Sequence, residues 1–286
     1  MDSEVLELMD DIVKYSSIYG ESKTCEKFES RVIKCNNALF SLVFSKCIKS
    51  ADIKTHEKIV LDSGNPEYNF EFARDVKGAD IIAHENAVIY SANLLYNFMF
   101  ARDIKGANIK AHEKIIIDSG NAEYNYLFAR SVLGADIKTH ERVVIESGDL
   151  KYNYMFADEI KGADIHAHGN VIIDSKRLKF NYIFARDIEG ADISAHGNVI
   201  INSKNSKYNY LFVSDVKGAD IEAHEKVVIN NNDAYYIDEL KKLTGKGFNI
   251  GNNEIEIDEM IDKKLDFILN QMNDKTKVLK KELKKD

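Results

Sequence analysis

The chain has 286 residues, 44% of them hydrophobic and 30% charged, with a formal net charge of −8 and a pI near 5.6. That balance is too apolar for a disordered chain and too acidic for broad affinity to nucleic acid, although it allows a local basic stripe. The single proline favours a helical chain, because helix interiors reject that residue.

The N-terminal stretch "MDSEVLELMDD" is acidic and amphipathic, without the basic start and apolar core of a secretory signal. Residues 3–18 predict a helix with Val5, Met9, Ile12 and Val13 on one side, and residues 1–24 are read as an N-terminal cap. No apolar run reaches the roughly eighteen residues of a membrane span. Cys25, Cys35 and Cys47 are odd in number and fit no zinc spacing. They read as reduced thiols of a cytoplasmic protein, packed as small apolar residues.

From about residue 25 to 246 the chain repeats itself with a step of 28 and no insertion. His56, His84, His112, His140, His168, His196 and His224 mark one column. Asn69, Asn97, Asn125, Asn153, Asn181 and Asn209 mark a second, and Phe72, Phe100, Phe128, Phe156, Phe184 and Phe212 a third. The same register places Ser41 at the Asn position and Phe28 at the His position upstream, and Ile237 at the Asn position downstream. Both ends thus lose the polar signature, as capping repeats do.

Each unit reads as two helices. Asp52, Asp80, Asn108, Asp136, Asp164, Asp192 and Asp220 precede an apolar-periodic segment, where an N-cap belongs. Asn65-Pro66-Glu67 supplies an N-cap, a first-position proline and an acidic first turn for the second helix. That helix is expected to end at a C′ glycine such as Gly78, Gly106 or Gly134. On a helical wheel His56 falls at the centre of the apolar arc with Ile53, Ile59 and Val60, and Asn69 on the buried face of the second helix with Phe72, Ala73 and Val76. The second helix is apolar round most of its circumference, so it should be the inner one. The "YNYLF" alternation also suits a strand, but the N-P-E start, the terminal glycine and the i, i+3, i+4, i+7 faces decide for helix. The expected fold is all-α: a right-handed α-solenoid of stacked two-helix repeats with helical caps at both ends.

The unit "GADIKTHERVVIESGDLKYNYMFADEIK" resembles the 28-residue tandem helical repeats of uncharacterised phage and bacterial mobile-element proteins, with a G-A-D-I start, a V-V-I-E-S-G-D centre and an F-A-R-D-V-K-G end. The resemblance covers about three quarters of the chain and implies HEAT-like stacking in a phage or mobile-element context, with no defined activity. Relatives of this type often carry apolar Leu and Cys at the sites of His112 and Asn125, where this chain departs.

Equivalent histidines in stacked helix pairs stand roughly 9–10 Å apart and cannot share a metal ion. A buried unpaired polar group costs about 1–3 kcal/mol, so a whole column of buried Asn must find partners. The histidine of the same or adjoining unit, or a carbonyl near "DSG", is the expected partner, giving a structural ladder. One Asn per repeat reading one nucleotide is the functional alternative.

The candidate partner-binding column is Arg74, Arg102, Arg130 and Arg186, with Lys77, Lys105, Lys161 and Lys217 and the aromatics Phe70, Tyr126, Tyr154 and Tyr182. Cations interleaved with aromatics suit a single-stranded nucleic-acid groove. Asp75, Asp103, Glu159, Asp187 and Asp215 form an acidic column immediately after the Arg column, however, and inter-repeat Arg–Asp pairs are the simpler expectation. Glu57, Glu85, Glu113, Glu141 and Glu225 read as a solvated face. No catalytic constellation, metal site or cofactor motif stands apart from the repeat.

After a Gly/Asn linker, residues 253–286 carry Ile261, Leu265, Ile268, Met272 and Leu279 in a heptad-like stripe with a lysine-rich end. Capping the array, self-association and partner docking all suit that stripe, and residues 247–286 form the C-terminal region. The sequence points to a non-enzymatic scaffold binding a macromolecule, above all a protein, as a phage-type inhibitor or adaptor of a host factor. RNA or single-stranded nucleic-acid binding is the alternative. Function should lie where the copies differ, as at Gly169 and Gly197, which replace Glu, and at Asp158, which replaces Arg.

Overall fold

The computed structural model describes residues 24–245, together with Asp10 and Lys14. The expectations for residues 1–24 and 247–286 therefore lie almost wholly outside the described residues. These residues are all-α: sixteen helices and no strand. In chain order they are α1 (Thr24–Cys35), α2 (Ala38–Cys47), α3 (Ile53–Asp62), α4 (Pro66–Asp75), α5 (Ile81–Ser91), α6 (Leu94–Asp103), α7 (Ile109–Asp118), α8 (Ala122–Ser131), α9 (Ile137–Ser147), α10 (Leu150–Glu159), α11 (Ile165–Ser175), α12 (Leu178–Asp187), α13 (Ile193–Ser203), α14 (Ser206–Asp215), α15 (Ile221–Asn230) and α16 (Ala234–Thr244). They form two compact units, one ending at Asp192 and one beginning at Ile193. None of the described helices is long and apolar enough to cross a membrane.

Helices α3 to α16 alternate between the two roles read in the sequence. Asp52, Asp80, Asn108, Asp136, Asp164 and Asp220 each cap a first helix through a side-chain oxygen that accepts a backbone N–H three residues on. Asn65 caps α4 with Pro66 at its first turn.

Within the first unit each pair packs on the next, as a helical repeat solenoid requires. The second helices α4, α6, α8 and α10 contact one another more extensively than the first helices do, so they line the tighter side. Each interface holds one apolar cluster: Phe70, Ala73, Val88, Phe100 and Ile104 form one, and Phe98, Ala101, Ile116, Phe128 and Val132 the next. Phe72, Phe100, Phe128, Phe156 and Phe184 are wholly buried, each contributing roughly 1.5–3 kcal/mol of apolar transfer. In the second unit Val228, Ile237 and Leu240 make the corresponding cluster, with Ile237 at the Asn position.

Two expectations about local structure are corrected. The second helices α4, α6, α8, α10, α12 and α14 do not end at a C′ glycine, although α16 does, at Gly245. Helix α4 ends at Asp75, and Val76 is already extended while its N–H still reaches Phe72 O. Gly78 lies beyond it in a β-turn, at φ +90°, where Ala79 N–H bonds Val76 O at 3.3 Å. The left-handed terminus belongs to the first helices, at Gly64, Ala92, Gly120, Gly148, Lys176, Lys204 and Asn232. Cys35 and Cys47 are likewise not core residues: both are free and exposed at helix ends.

Ala92 and Lys176 thus hold φ values of +50° and +54° that disfavour any side chain. Ala92→Gly and Lys176→Gly should each raise the unfolding free energy by about 1 kcal/mol, read from urea denaturation midpoints.

Candidate functional site

The repeated polar residues converge at the interfaces between repeats. In the first unit, Asn97 Nδ2 donates to Val88 O at 3.1 Å and to Asn93 O at 2.8 Å. Val88 O lies near the C-terminus of the first helix, and Asn93 is the N-cap of the second. With both amide hydrogens used inside its own repeat, Asn97 turns its carbonyl to the next, where His112 Nδ1 stands 2.8 Å from Oδ1. The proton on that imidazole must therefore be on Nδ1. The pattern recurs as His84–Asn69 at 2.7 Å, His140–Asn125 at 2.7 Å, His168–Asn153 at 2.8 Å and, in the second unit, His224–Asn209 at 2.7 Å. These Asn and His residues are 0–1% exposed, as are Asn181 and His196. The rings of His84, His112, His140, His168 and His224 also lie on a Phe of the preceding repeat, as His112 does on Phe100 with centroids 5.1 Å apart.

A third member of the ladder was missed in the sequence. The glutamate that follows the histidine in most copies is not on a solvated face. Glu85, Glu113, Glu141 and Glu225 are 4–9% exposed. Glu85 Oε1 accepts the backbone N–H of Asn108, the next N-cap, at 2.5 Å, and lies 3.3 Å from His112 Nε2. Glu57 does the same for Asp80 and His84, Glu113 for Asp136 and His140, and Glu141 for Asp164 and His168. Upstream, Glu29 takes this place for Asp52 and His56 even though Ser41 has replaced the Asn. There Ser41 Oγ and His56 Nδ1 are buried without a partner. The signal in the sequence was the His-Glu dipeptide at a constant step, with its capping target 23 residues on.

The Arg column is corrected in two ways. Phe70, Tyr126 and Tyr182 are core residues, 1%, 1% and 7% exposed, and cannot stack on a base. Tyr154 is half-buried and donates its hydroxyl to Asp187 at 3.0 Å. Each Arg instead covers the ring one turn earlier: Arg74 lies 5.0 Å from the Phe70 centroid, Arg102 5.0 Å from Phe98, Arg130 5.8 Å from Tyr126 and Arg186 5.1 Å from Tyr182. Three of the four pair with the adjacent residue rather than across repeats: Arg74–Asp75 at 2.7 Å, Arg102–Asp103 at 2.6 Å and Arg186–Asp187 at 2.6 Å. Arg130–Glu159, at 2.8 Å, crosses to the next repeat. The hydrogen bond from Arg74 holds Asp75 at a pKa of about 2. Lys77, Lys105, Lys161 and Lys217 are exposed in the turns after the second helices.

What remains open on the second-helix side is a stripe at one position per repeat. Glu71, Met99, Leu127, Met155 and Ile183 are half-buried along the first unit, and Leu95, 41% exposed, extends the stripe one turn from Met99. Beside it run the Arg–acid pairs. Among the described residues no group of three or more His, Cys, Asp or Glu is arranged to hold a metal ion. A comparison with family models, curated proteins and solved structures finds no match to the chain.

Two outcomes follow from the ladder. Asn125→Ala removes the partner of Ile116 O, Asn121 O and His140 Nδ1 together. It should cost about 3 kcal/mol or more in urea denaturation, whereas Asn121→Ala, at an exposed cap, should cost only about 1 kcal/mol. Burial also depresses the pKa of His84, His112, His140 and His168 below 6.5, against the pull of the adjoining carboxylates. His224, with Gly197 where the others face Glu, falls to about 4. A histidine depressed in the folded state binds its proton more readily when unfolded, so its stabilisation is complete above 6.5 and is lost as the pH falls from there through the folded pKa. Stability should therefore drop between pH 6.5 and about 4, with His224 alone accounting for on the order of 3 kcal/mol, measured as unfolding free energy against pH.

Proposed function

We propose that the protein is a non-enzymatic repeat scaffold that holds a segment of a partner protein along its second helices. The observation that carries this reading is the apolar stripe of Met99, Leu127, Met155 and Ile183, one residue per repeat, flanked by charged pairs. A half-buried apolar ribbon between polar rims suits an extended peptide: the ribbon takes side chains and the rims take backbone and charge. The polar residues that recur most faithfully are consumed inside the array, which leaves this stripe as the repeated surface. The resemblance to phage-type repeats supplies the biological setting of the proposal, an inhibitor or adaptor acting on a host factor in the cytoplasm.

Nucleic-acid binding is the weaker reading, because its stacking aromatics are core residues and its arginines are matched by carboxylates. The triple variant Met99→Asp, Leu127→Asp, Met155→Asp separates the two. It should keep the helical signal and lose at least tenfold in affinity for a protein captured from the host and then purified. Neither protein should bind mixed-sequence RNA in a salt-sensitive way. Salt-sensitive RNA binding that survives the triple variant would sink the peptide reading.

A further inference from the structure

Two copies lack the ladder carboxylate by sequence, at Gly169 and at Gly197, and the second of these lies within the second unit. In the second unit Gly197 stands where the first unit has Glu57, Glu85, Glu113 and Glu141. The rest of the step is intact. Asn209 Nδ2 donates to Ile200 O at 3.0 Å and Asn205 O at 2.8 Å, and its carbonyl accepts from His224 Nδ1 at 2.7 Å. The Nε2 edge of His224 is therefore aimed at Gly197, 3.3 Å from where a Cβ would stand. The ring is buried, 1% exposed. The backbone N–H of Asp220 occupies the N-cap place whose equivalents, Asp80, Asn108, Asp136 and Asp164, each donate to a Glu carboxylate.

We propose that the notch bounded by Gly197, Phe212, His224 and the Asp220 backbone N–H is a binding site for an external carboxylate group. The same molecule shows what the notch accepts. Where glutamate is present, one carboxylate oxygen lies 2.5–2.6 Å from the N-cap nitrogen and 3.3–3.6 Å from His Nε2. The side chains of these glutamates are 5–12% exposed, so the carboxylate position lies at the edge of the interface and is open to approach from outside. An external acid need not occupy the Cβ position, which the rings of His224 and Phe212 both crowd at 3.3 Å. In the glutamate copies the carboxyl carbon lies two bonds beyond Cβ, and its oxygens three.

The bound group shares one proton with the ring. With Nδ1 committed to Asn209, a carboxylate faces Nε2 favourably only when a proton lies between them, so binding takes up one proton from solvent. Asp220 is the charged group acting on the imidazole from its own helix. The helices packed against the ring present Gly197, Phe212 and Asn209, none of which titrates. The carboxylate comes either from an acidic side chain of a partner or from a small free acid. The site does not depend on the peptide stripe.

The test uses the full chain with nitrogen-15-labelled histidine and backbone, in slightly acid buffer at constant ionic strength. Sodium acetate should move the His224 ring nitrogens and the Asp220 amide along a saturable curve, with sodium chloride as the reference, and leave His112 unmoved. Glu85→Gly should give His112 the same response. A capped Gly-Glu-Gly peptide that reproduces the shift, when its Gln counterpart does not, assigns the site to a partner's side chain; a response to acetate alone assigns it to a small acid. If His224 responds to neither, or no more than His112 does in the unsubstituted protein, the proposal fails. That internal comparison stands even if Glu85→Gly does not fold.

Discussion

A fully buried asparagine amide has to place two N–H donors and one carbonyl, and the repeat is arranged around that obligation. In Asn97 the two donors take carbonyls at the junction of the unit's own two helices, which fixes how the pair is bent. The carbonyl that remains can be met only from the next unit, and His112 meets it. The ring edge that carries Nε2 lies 3.3 Å from Glu85, whose carboxylate accepts the next N-cap N–H. Local helix geometry, repeat register and the entry angle of the following helix thus share one chain of contacts. The apolar clusters supply most of the free energy of stacking, but Phe, Val and Ile tolerate sliding, whereas the amide and the imidazole do not.

Much of this was legible in the sequence. The step of 28 identified the helix pair, and the wheel placed His56 and Asn69 on buried faces where pairing was required. The glutamate was misread because an acidic side chain one residue from a buried histidine is normally solvated. Its partner, a backbone N–H 23 residues on, is invisible to periodicity within one helix. The C′ glycine was misplaced because "DVKGAD" contains both a helix end and a β-turn, and it was the turn that needed positive φ. The aromatics beside the Arg column failed as a groove because the second helix is buried over so much of its circumference that only one narrow stripe stays open.

The copies that differ carry the more particular information. Met99 and Leu95 stand where α4 has Glu71 and Glu67, and they bring the apolar stripe to the surface in one repeat more than in its neighbours. Gly197 removes a side chain whose carboxylate, in other copies, accepts the next N-cap N–H beside a histidine ring. Each change keeps the helix and alters what it offers, which is how a repetitive scaffold acquires a local property without disturbing its stacking.

The ladder also has a direction. In the pairs within each unit the histidine reaches back and the asparagine reaches forward, so the interior repeats of the first unit present the same accepting edge on one side and the same donating edge on the other. Loss of residues 108–135 as a block would set Asn97 against His140, Phe100 under that ring and Glu85 against the Asp136 N–H, reproducing an interface the protein already has. Recombination between copies can therefore lengthen or shorten the array in whole units without inventing a contact, while a shift by any other number of residues breaks the ladder at once.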